Sequence, residues 1–429
     1  MFITFICVAL FMALFHATAT VAQSPPKAVF AHVMGGNYDS NEWLEDIQLA
    51  KDAHIDAFAL NFAANSPELI PSLTAAYNAA NQLGNFSLFI SFDYSGNGPW
   101  AGQTVVNTIN QFKDEPSQYL VDGKPFVSTF EGPNNAADWG WIKSQVPIYF
   151  VPCWTSVGPE FIADNSNTDG GFSWNAWPTG ANDMNTEGDS AWMSALGSKP
   201  YMMPVSPWFF TDLPSYDKNW LWRGDDLWYD RWQQVLEMDP PMVEIISWND
   251  VGESHNIGPI RQSGVPTDGS WYIDDMPHDD WRRTLPYWID AYKSGNTTQP
   301  TVANDTMSYW YRLTPVEACS DSQGTTGGDT AYEASVNPDN VVQDKIFLDA
   351  LVTAAADVSV QVGSNSPTSL RALHAGVNHF SVPFNGQTGN VTFTISRNGA
   401  TVVSGTGPAI STDCPQGGKT NFNAYVGGC

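Results

Sequence analysis

Between residues 27 and 295, short apolar runs rich in β-branched and aromatic residues alternate with longer stretches in which Leu, Ile and Ala recur at helical spacing. That rhythm predicts βα units. The strand candidates are 28–33, 57–62, 87–92, 126–130, 148–152, 172–177, 201–205 and 243–247, and helical patterns occupy 42–54, 68–83, 105–112, 225–238 and 280–292. Eight such strands predict a closed (β/α)8 barrel, an α/β fold. The sixth unit is the weakest, because 164–171 is too polar and short for a helix. An open doubly wound sheet is the rival. Against it, His32-Val33-Met34-Gly35-Gly36-Asn37 after the first strand lacks the Gly-x-Gly-x-x-Gly spacing that cradles a dinucleotide.

Past residue 295 the texture changes. Residues 297–330 are rich in Thr, Ser, Gly and Asp, and Trp310 and Tyr311 within them point to a packed connection. Then come period-two runs such as Val358-Ser359-Val360-Gln361-Val362 and Val391-Thr392-Phe393-Thr394-Ile395. This alternation predicts a C-terminal antiparallel β-sandwich. The expected division is a signal peptide over 1–22, the barrel over 23–296, a connecting segment over 297–330 and the sandwich over 331–429. The sandwich stretch contains no Trp, so we expect its role to be structural.

The N-terminal stretch is an apolar run followed by small residues, Ala17-Thr18-Ala19 and Thr20-Val21-Ala22, as in a secretory signal. Its apolar core is short for a bilayer span, and no later stretch is long and apolar enough for one. The expected location is extracellular, including association with a cell wall. Against 45 Asp and Glu there are 18 Lys and Arg, a net charge of -27. So acidic a surface repels phosphate backbones and anionic lipid, which excludes nucleic acid and membrane as expected partners; a monomer is expected. Behind the signal stand Cys153, Cys319, Cys414 and Cys429, with no C-x-x-C pair and no His at zinc-ligand spacing. Disulfides are the expected use, as Cys414 to Cys429 or Cys319 to either, and spacing alone does not choose. Sequons at Asn85, Asn296, Asn304 and Asn390 agree with a secretory route.

In a parallel barrel, catalysis is carried at the C-terminal ends of the strands. There the sequence offers His32, Asn61, Asp93 and Tyr94, Glu131, Trp154, Trp177, Trp208, and then Trp248-Asn249-Asp250-Val251-Gly252-Glu253-Ser254-His255. Carboxylates mixed with aromatic rings suit a sugar polymer, whose C–H faces stack on Trp and whose hydroxyls seek Asp, Glu, Asn and His. Glycosidic bonds are broken by two carboxyl groups. Asp250 and Glu253 offer that pair, and Asp93 is a third carboxylate able to position water. Structural readings compete: Asp93 or Asp250 as a helix cap, Trp208 and Trp248 as core rings, His32 and His255 as hydrogen-bonded structural histidines.

Four stretches of the chain resemble glycoside hydrolase family 71, the fungal endo-α-1,3-glucanases or mutanases. They are Ala31-His32-Val33-Met34-Gly35-Gly36, Asp56-Ala57-Phe58-Ala59-Leu60-Asn61, Phe92-Asp93 and Glu244-Ile245-Ile246-Ser247-Trp248-Asn249-Asp250-Val251-Gly252-Glu253-Ser254. The resemblance implies a barrel with a β-sandwich, endo-attack on α-1,3-glucan with inversion, and no metal or organic cofactor. It implies Asp250 and Glu253 as the catalytic pair with Asp93 assisting. We expect Glu253 as the acid and Asp250 as the base, the exchanged assignment staying open. The alternatives are a related barrel enzyme acting on another α-linked glycan such as an α-mannoside, and a carbohydrate-binding protein without turnover.

Overall fold

Eight strands are buried on both faces, which is why they read as continuous apolar runs rather than alternating ones. They are β1 (Ala28–Met34), β2 (Ala57–Ala63), β3 (Ser87–Asp93), β4 (Lys124–Phe130), β5 (Tyr149–Cys153), β6 (Gly171–Phe172), β7 (Tyr201–Val205) and β8 (Met242–Ile245). Each pairs in parallel with the next, and β8 pairs with β1, so the sheet closes into the expected barrel. The computed structural model describes residues 27–36, 38–295, 297–319, 324–414 and 417–429. The signal segment 1–22 and the Asn296 sequon lie outside them.

Alternate residues of one strand serve two cores. On β1, Val29, Ala31 and Val33 face the surrounding helices, while Ala28 and Phe30 fill the barrel with Phe89, Phe126 and Met242. The helices are α1 (Ser40–Asp52), α2 (Leu69–Leu83), α3 (Gly102–Phe112), α4 (Asp138–Gln145), α5 (Pro159–Asp164), α6 (Glu187–Leu196), α7 (Leu227–Met238) and α8 (Leu285–Lys293). α1 shows why such a segment coils: Trp43, Ile47 and Ala50 form one buried stripe, and Asp39 and Glu42 make a reciprocal capping box at its start.

The sequence reading departs from the structure in the sixth unit. β6 holds only two residues where 172–177 was expected, and Trp177 stands in the loop beyond it. A Cβ on Gly170 would lie 2.7 Å from the Pro200 carbonyl oxygen, so the chain passes too close to its neighbour for a side chain there. The helix before β6 is α5, ending at Asp164, where the polar stretch 164–171 begins. Between β7 and α7 a hairpin, Phe210–Leu213 with Lys218–Leu221, is inserted on the barrel.

The C-terminal part is a pair of four-stranded antiparallel sheets. Its strands are β9 (Thr306–Tyr311), β10 (Lys345–Val352), β11 (Ala356–Val362), β12 (Thr368–Ala372), β13 (Gly376–Pro383), β14 (Gly389–Arg397), β15 (Ala400–Ile410) and β16 (Tyr425–Gly428). The sheet orders are β13-β10-β9-β16 and β12-β11-β14-β15. β9 and Thr326–Gly327 both belong to the segment 297–330, so that stretch contributes strands as well as a connection. On β9, Met307, Tyr309 and Tyr311 enter the sandwich core and Trp310 enters the barrel's, its indole donating to the Asp225 carbonyl at 2.7 Å. The disulfide joins Cys319 to Cys414, one of the open pairings, while Cys153 is a buried free thiol and Cys429 is also free.

One ion cluster crosses the barrel–sandwich seam. The His379 ring on β13 bonds Asp349 of β10 and Asp226, which precedes the first residue of α7, each at 2.7 Å, and stacks on Tyr229 at 4.5 Å. Burial pushes the imidazole pKa down, but the two carboxylates outweigh it and lift it from 6.5 to about 9. A raised cation stabilises the fold fully below its unfolded pKa and loses that contribution as pH rises through its folded one. Thermal stability is therefore expected to decline between pH 6.5 and 9. His379→Gln should flatten that decline and cost about 3 to 5 kcal/mol at pH 6, by leaving two carboxylates without their cation; calorimetry across the pH range checks both.

Candidate active site

At the end of β8 the chain leaves the barrel and returns on itself. Ser247 donates its N–H to the His255 carbonyl, Ile257 to that of Ser247 and Gly258 to that of Trp248, at 2.7 to 3.0 Å. Gly258 permits the return, since a Cβ there would sit 2.6 Å from the Trp248 carbonyl oxygen and indole nitrogen. Inside this loop Val251–Glu253 forms one turn of 3-10 helix, capped by the Asp250 carboxylate, which accepts the Glu253 N–H at 3.2 Å. That turn decides the point left open by the sequence: Asp250 and Glu253 converge.

The two carboxylates have different surroundings. Glu253 has both oxygens engaged, Oε1 by Lys218 Nζ at 2.5 Å and Oε2 by His255 Nε2 at 2.9 Å. Asp250 keeps Oδ2 free, 4.0 Å from the same imidazole nitrogen, and its side chain is 24% exposed. Burial pushes both carboxyl groups up. For Asp250 the neighbouring Glu253 charge adds to it, and the pKa stays raised. For Glu253 the His255 hydrogen bond and the Lys218 charge reverse it, and the pKa falls to about 2. The site thus pushes the two carboxyl groups apart, Asp250 toward its protonated form and Glu253 toward its ionised one.

His255 is held as a bridge. Its Nδ1 meets Ser247 Oγ at 2.9 Å, that oxygen also accepts the Asp250 N–H at 2.9 Å, and the ring lies between Trp177 and Phe209. Donor atoms of Asp250, Glu253 and His255 fall within 4.8 Å of one another, close enough for three ligands of a cation. The Lys218 ammonium already stands against that cluster as its positive charge.

Asp93, at the end of β3, alternates with Phe89 of the barrel interior and so faces its mouth; Oδ1 accepts the N–H groups of Ser95 and Gly96 at 2.7 and 3.0 Å. His32 and Asn61 also face inward. The His32 Nδ1 bonds Glu244 Oε1 at 2.7 Å, and the other polar atom of each, with Asn61 Oδ1, is buried without a hydrogen-bond partner among the described residues. Asn249 clasps both backbone groups of Met34 at 2.7 and 2.9 Å, tying the Asp250 loop to β1. Glu131 fixes the β5 loop through Ser156, and Tyr94 is buried beneath Gly132.

The structure does not bring every expected tryptophan to this loop. Trp177 reaches it, 5.5 Å from the His255 ring. Trp154 is fully buried and edge-on to Phe150 in the outer layer, and Trp208 donates to the Phe422 carbonyl at 2.9 Å beneath the sandwich. Trp248 turns outward to Asp46 of α1 at 2.9 Å. Burying so large a ring between strand and helix layers gains more than leaving it at the rim. Two functional groups were missed by sequence reasoning. Lys218 comes from the inserted hairpin, whose only signal is the Pro214-Ser215-Tyr216-Asp217 turn between apolar runs, and Glu244 lies inside an apolar strand.

The sequence profile of glycosyl hydrolase family 71 matches residues 25–429. The chain is 37% identical to the glucan endo-1,3-alpha-glucosidase agn1 of Schizosaccharomyces pombe, over 97% of this chain and 98% of that protein. It is 36% identical to a mutanase of Penicillium rubens, over 95% of this chain and 89% of that protein. An ascus wall endo-1,3-alpha-glucanase of S. pombe is 28% identical, over 84% and 86%.

Proposed function

We propose, for a chain that belongs to glycosyl hydrolase family 71 and is a glycoside hydrolase, that it attacks α-1,3-glucan from within the polymer and inverts the anomeric centre. Hydrolysis of α-1,3-glucan is what family membership and the glucanase relatives support; interior attack and inversion follow the resemblance of the motifs. The observation that carries the proposed chemistry is the split pair at the end of β8, where Asp250, its pKa raised, has an oxygen without a hydrogen bond among the described residues, while both oxygens of Glu253 are held by donors that favour its ionised form.

That split favours the exchanged assignment of roles. Asp250 gives its proton to the departing glucosyl oxygen, and Glu253 takes a proton from water as it attacks the anomeric carbon. Asp93, facing the mouth from β3, orients that water, and His32, Asn61, Asn249 and Trp177 are proposed sugar contacts. Inversion needs about 6.5 to 9.5 Å between the acting carboxyl groups, whereas oxygens of Asp250 and Glu253 lie within 4.8 Å of one another, so the inverting reading requires the pair to part when the sugar and its water enter. Secretion is part of the reading, supported by the N-terminal apolar segment, a disulfide suited to an oxidising compartment, and exposed sequons at Asn85, Asn304 and Asn390.

The test incubates purified protein with insoluble α-1,3-glucan beside dextran, starch, β-1,3-glucan and yeast mannan. Soluble oligosaccharides preceding glucose, from the first polymer alone and first seen by NMR as the β-anomer, are expected. Glucose as the sole early product would remove interior attack, an α-anomer would remove inversion, and cleavage of mannan instead would move the substrate to another α-linked glycan.

A further inference from the structure

Each oxygen of Glu253 is held by one donor, Lys218 or His255, and both donors are linked through neighbouring residues to the same distant stretch of chain. Lys218 opens the hairpin strand Lys218–Leu221, whose free edge is taken by Thr326–Gly327 in parallel pairing, Trp220 with Thr326 and Leu221 with Gly327. Gly328 donates to the Leu221 carbonyl at 2.7 Å, and Thr325 Oγ1 meets Asn219 Oδ1 at 2.6 Å beside Lys218 itself. On the other donor's side, Trp222 gives its indole N–H to Glu333 Oε1 at 2.7 Å. Trp222 stacks on Trp177 at 5.0 Å with 14° between the planes, and Trp177 lies 5.5 Å from the His255 ring.

We infer that the connector 325–333, which leaves the sandwich between β9 and β10 to pair with the barrel's hairpin, positions the catalytic site, with Thr325 and Glu333 aligning Lys218 and His255 on Glu253. The barrel alone then carries the carboxylates but not the frame that fixes their donors. This inference rests on Glu253 being a catalytic carboxylate. The charged groups facing Glu253 are Lys218, His255 and Asp250, and those facing Lys218 are Glu253, Asp250 and, from the connector, Asp329. Loosening the connector weakens the two bonds that favour ionised Glu253. The site should then need a higher pH to ionise it, and the catalytic geometry should blur, an effect that a small displacement makes large.

The full-length protein tests this. Glu333→Ala, which removes the acceptor of the Trp222 indole, and Thr325→Val, which removes the hydroxyl bonded to Asn219 Oδ1, are each expected to lower kcat by about tenfold or more with KM little changed. Each should also move the acid limb of the kcat/KM profile upward by about one pH unit. Glu333→Gln, which still accepts the indole N–H, should recover most of both. A readout independent of turnover is carbon-13 NMR titration of the Glu carboxyl groups, with the Glu253 signal identified by its absence in Glu253→Gln. Movement of that titration where no glucan is cleaved would remove the functional reading, and with it the catalytic role, and leave only the connector's alignment of Lys218 and His255 on Glu253 standing. An unmoved Glu253 titration and an unmoved pH profile in both folded variants, whatever their thermal stability, would overturn it.

Discussion

Asp250→Asn and Glu253→Gln are each expected to reduce turnover of α-1,3-glucan by about 10²- to 10⁴-fold while the fold and polymer binding persist. Each substitution roughly conserves shape and deletes one proton-transfer step. The roles separate on the leaving group. An α-glucosyl fluoride of the oligosaccharide departs without being protonated, so Asp250→Asn should regain much of its rate on it. Glu253→Gln should not, because the attacking water still lacks its base. Recovery in the reverse order would restore Glu253 as the acid, the assignment first drawn from the motifs. Equal losses on both substrates would separate neither carboxyl group as proton donor. The measurement is kcat and KM for both variants on polymer and fluoride, with binding of insoluble glucan as the control for folding.

Much of this architecture is legible along the chain, because a barrel strand buried on both faces cannot hide its apolar run. β7 coincides with its expected bounds, four other barrel strands fall within one residue at each end, and β4 and β8 within two. β6 fails because its neighbours approach so closely that glycine replaces the apolar residues a strand pattern requires. α4 bears Trp139 inside and Trp141 outside, so no stripe marks it as a helix. At the site the same limit appears in another form. A residue near a strand end is readable as such, but whether its side chain turns to the mouth or to the helices is set, beyond the strand's last residue, by how the loop turns and not by the pleat. Trp248 and Asp250 are two residues apart, yet one goes to α1 and the other to the cleft. Lys218 is invisible for a deeper reason: its meaning arises only when an inserted hairpin, held by a strand from the connector, closes over Glu253.

Lys218→Met is expected to move the whole pH–activity bell to higher pH, a signature distinct from simple loss of rate. The Lys218 charge lowers the pKa of Glu253, and that of Asp250 as well. Without it the base protonates at higher pH, so the acid limb of kcat/KM moves up by about one to three pH units. The acid also holds its proton to higher pH, so the basic limb follows in the same direction. Stability carries the complementary sign. A carboxyl group whose folded pKa is depressed, as that of Glu253 is from 4.5 to about 2, stabilises the fold above the unfolded pKa and loses that contribution as pH falls through the folded one. The variant should thus unfold at a lower temperature than the wild type above pH 4.5, with the difference closing toward pH 2. Lys218→Arg keeps a cation at the position and should leave the bell nearer its original pH even where its larger head lowers kcat. A bell that stays in place in Lys218→Met would mean that His255 alone holds Glu253 ionised, with Lys218 serving only to shape the cleft.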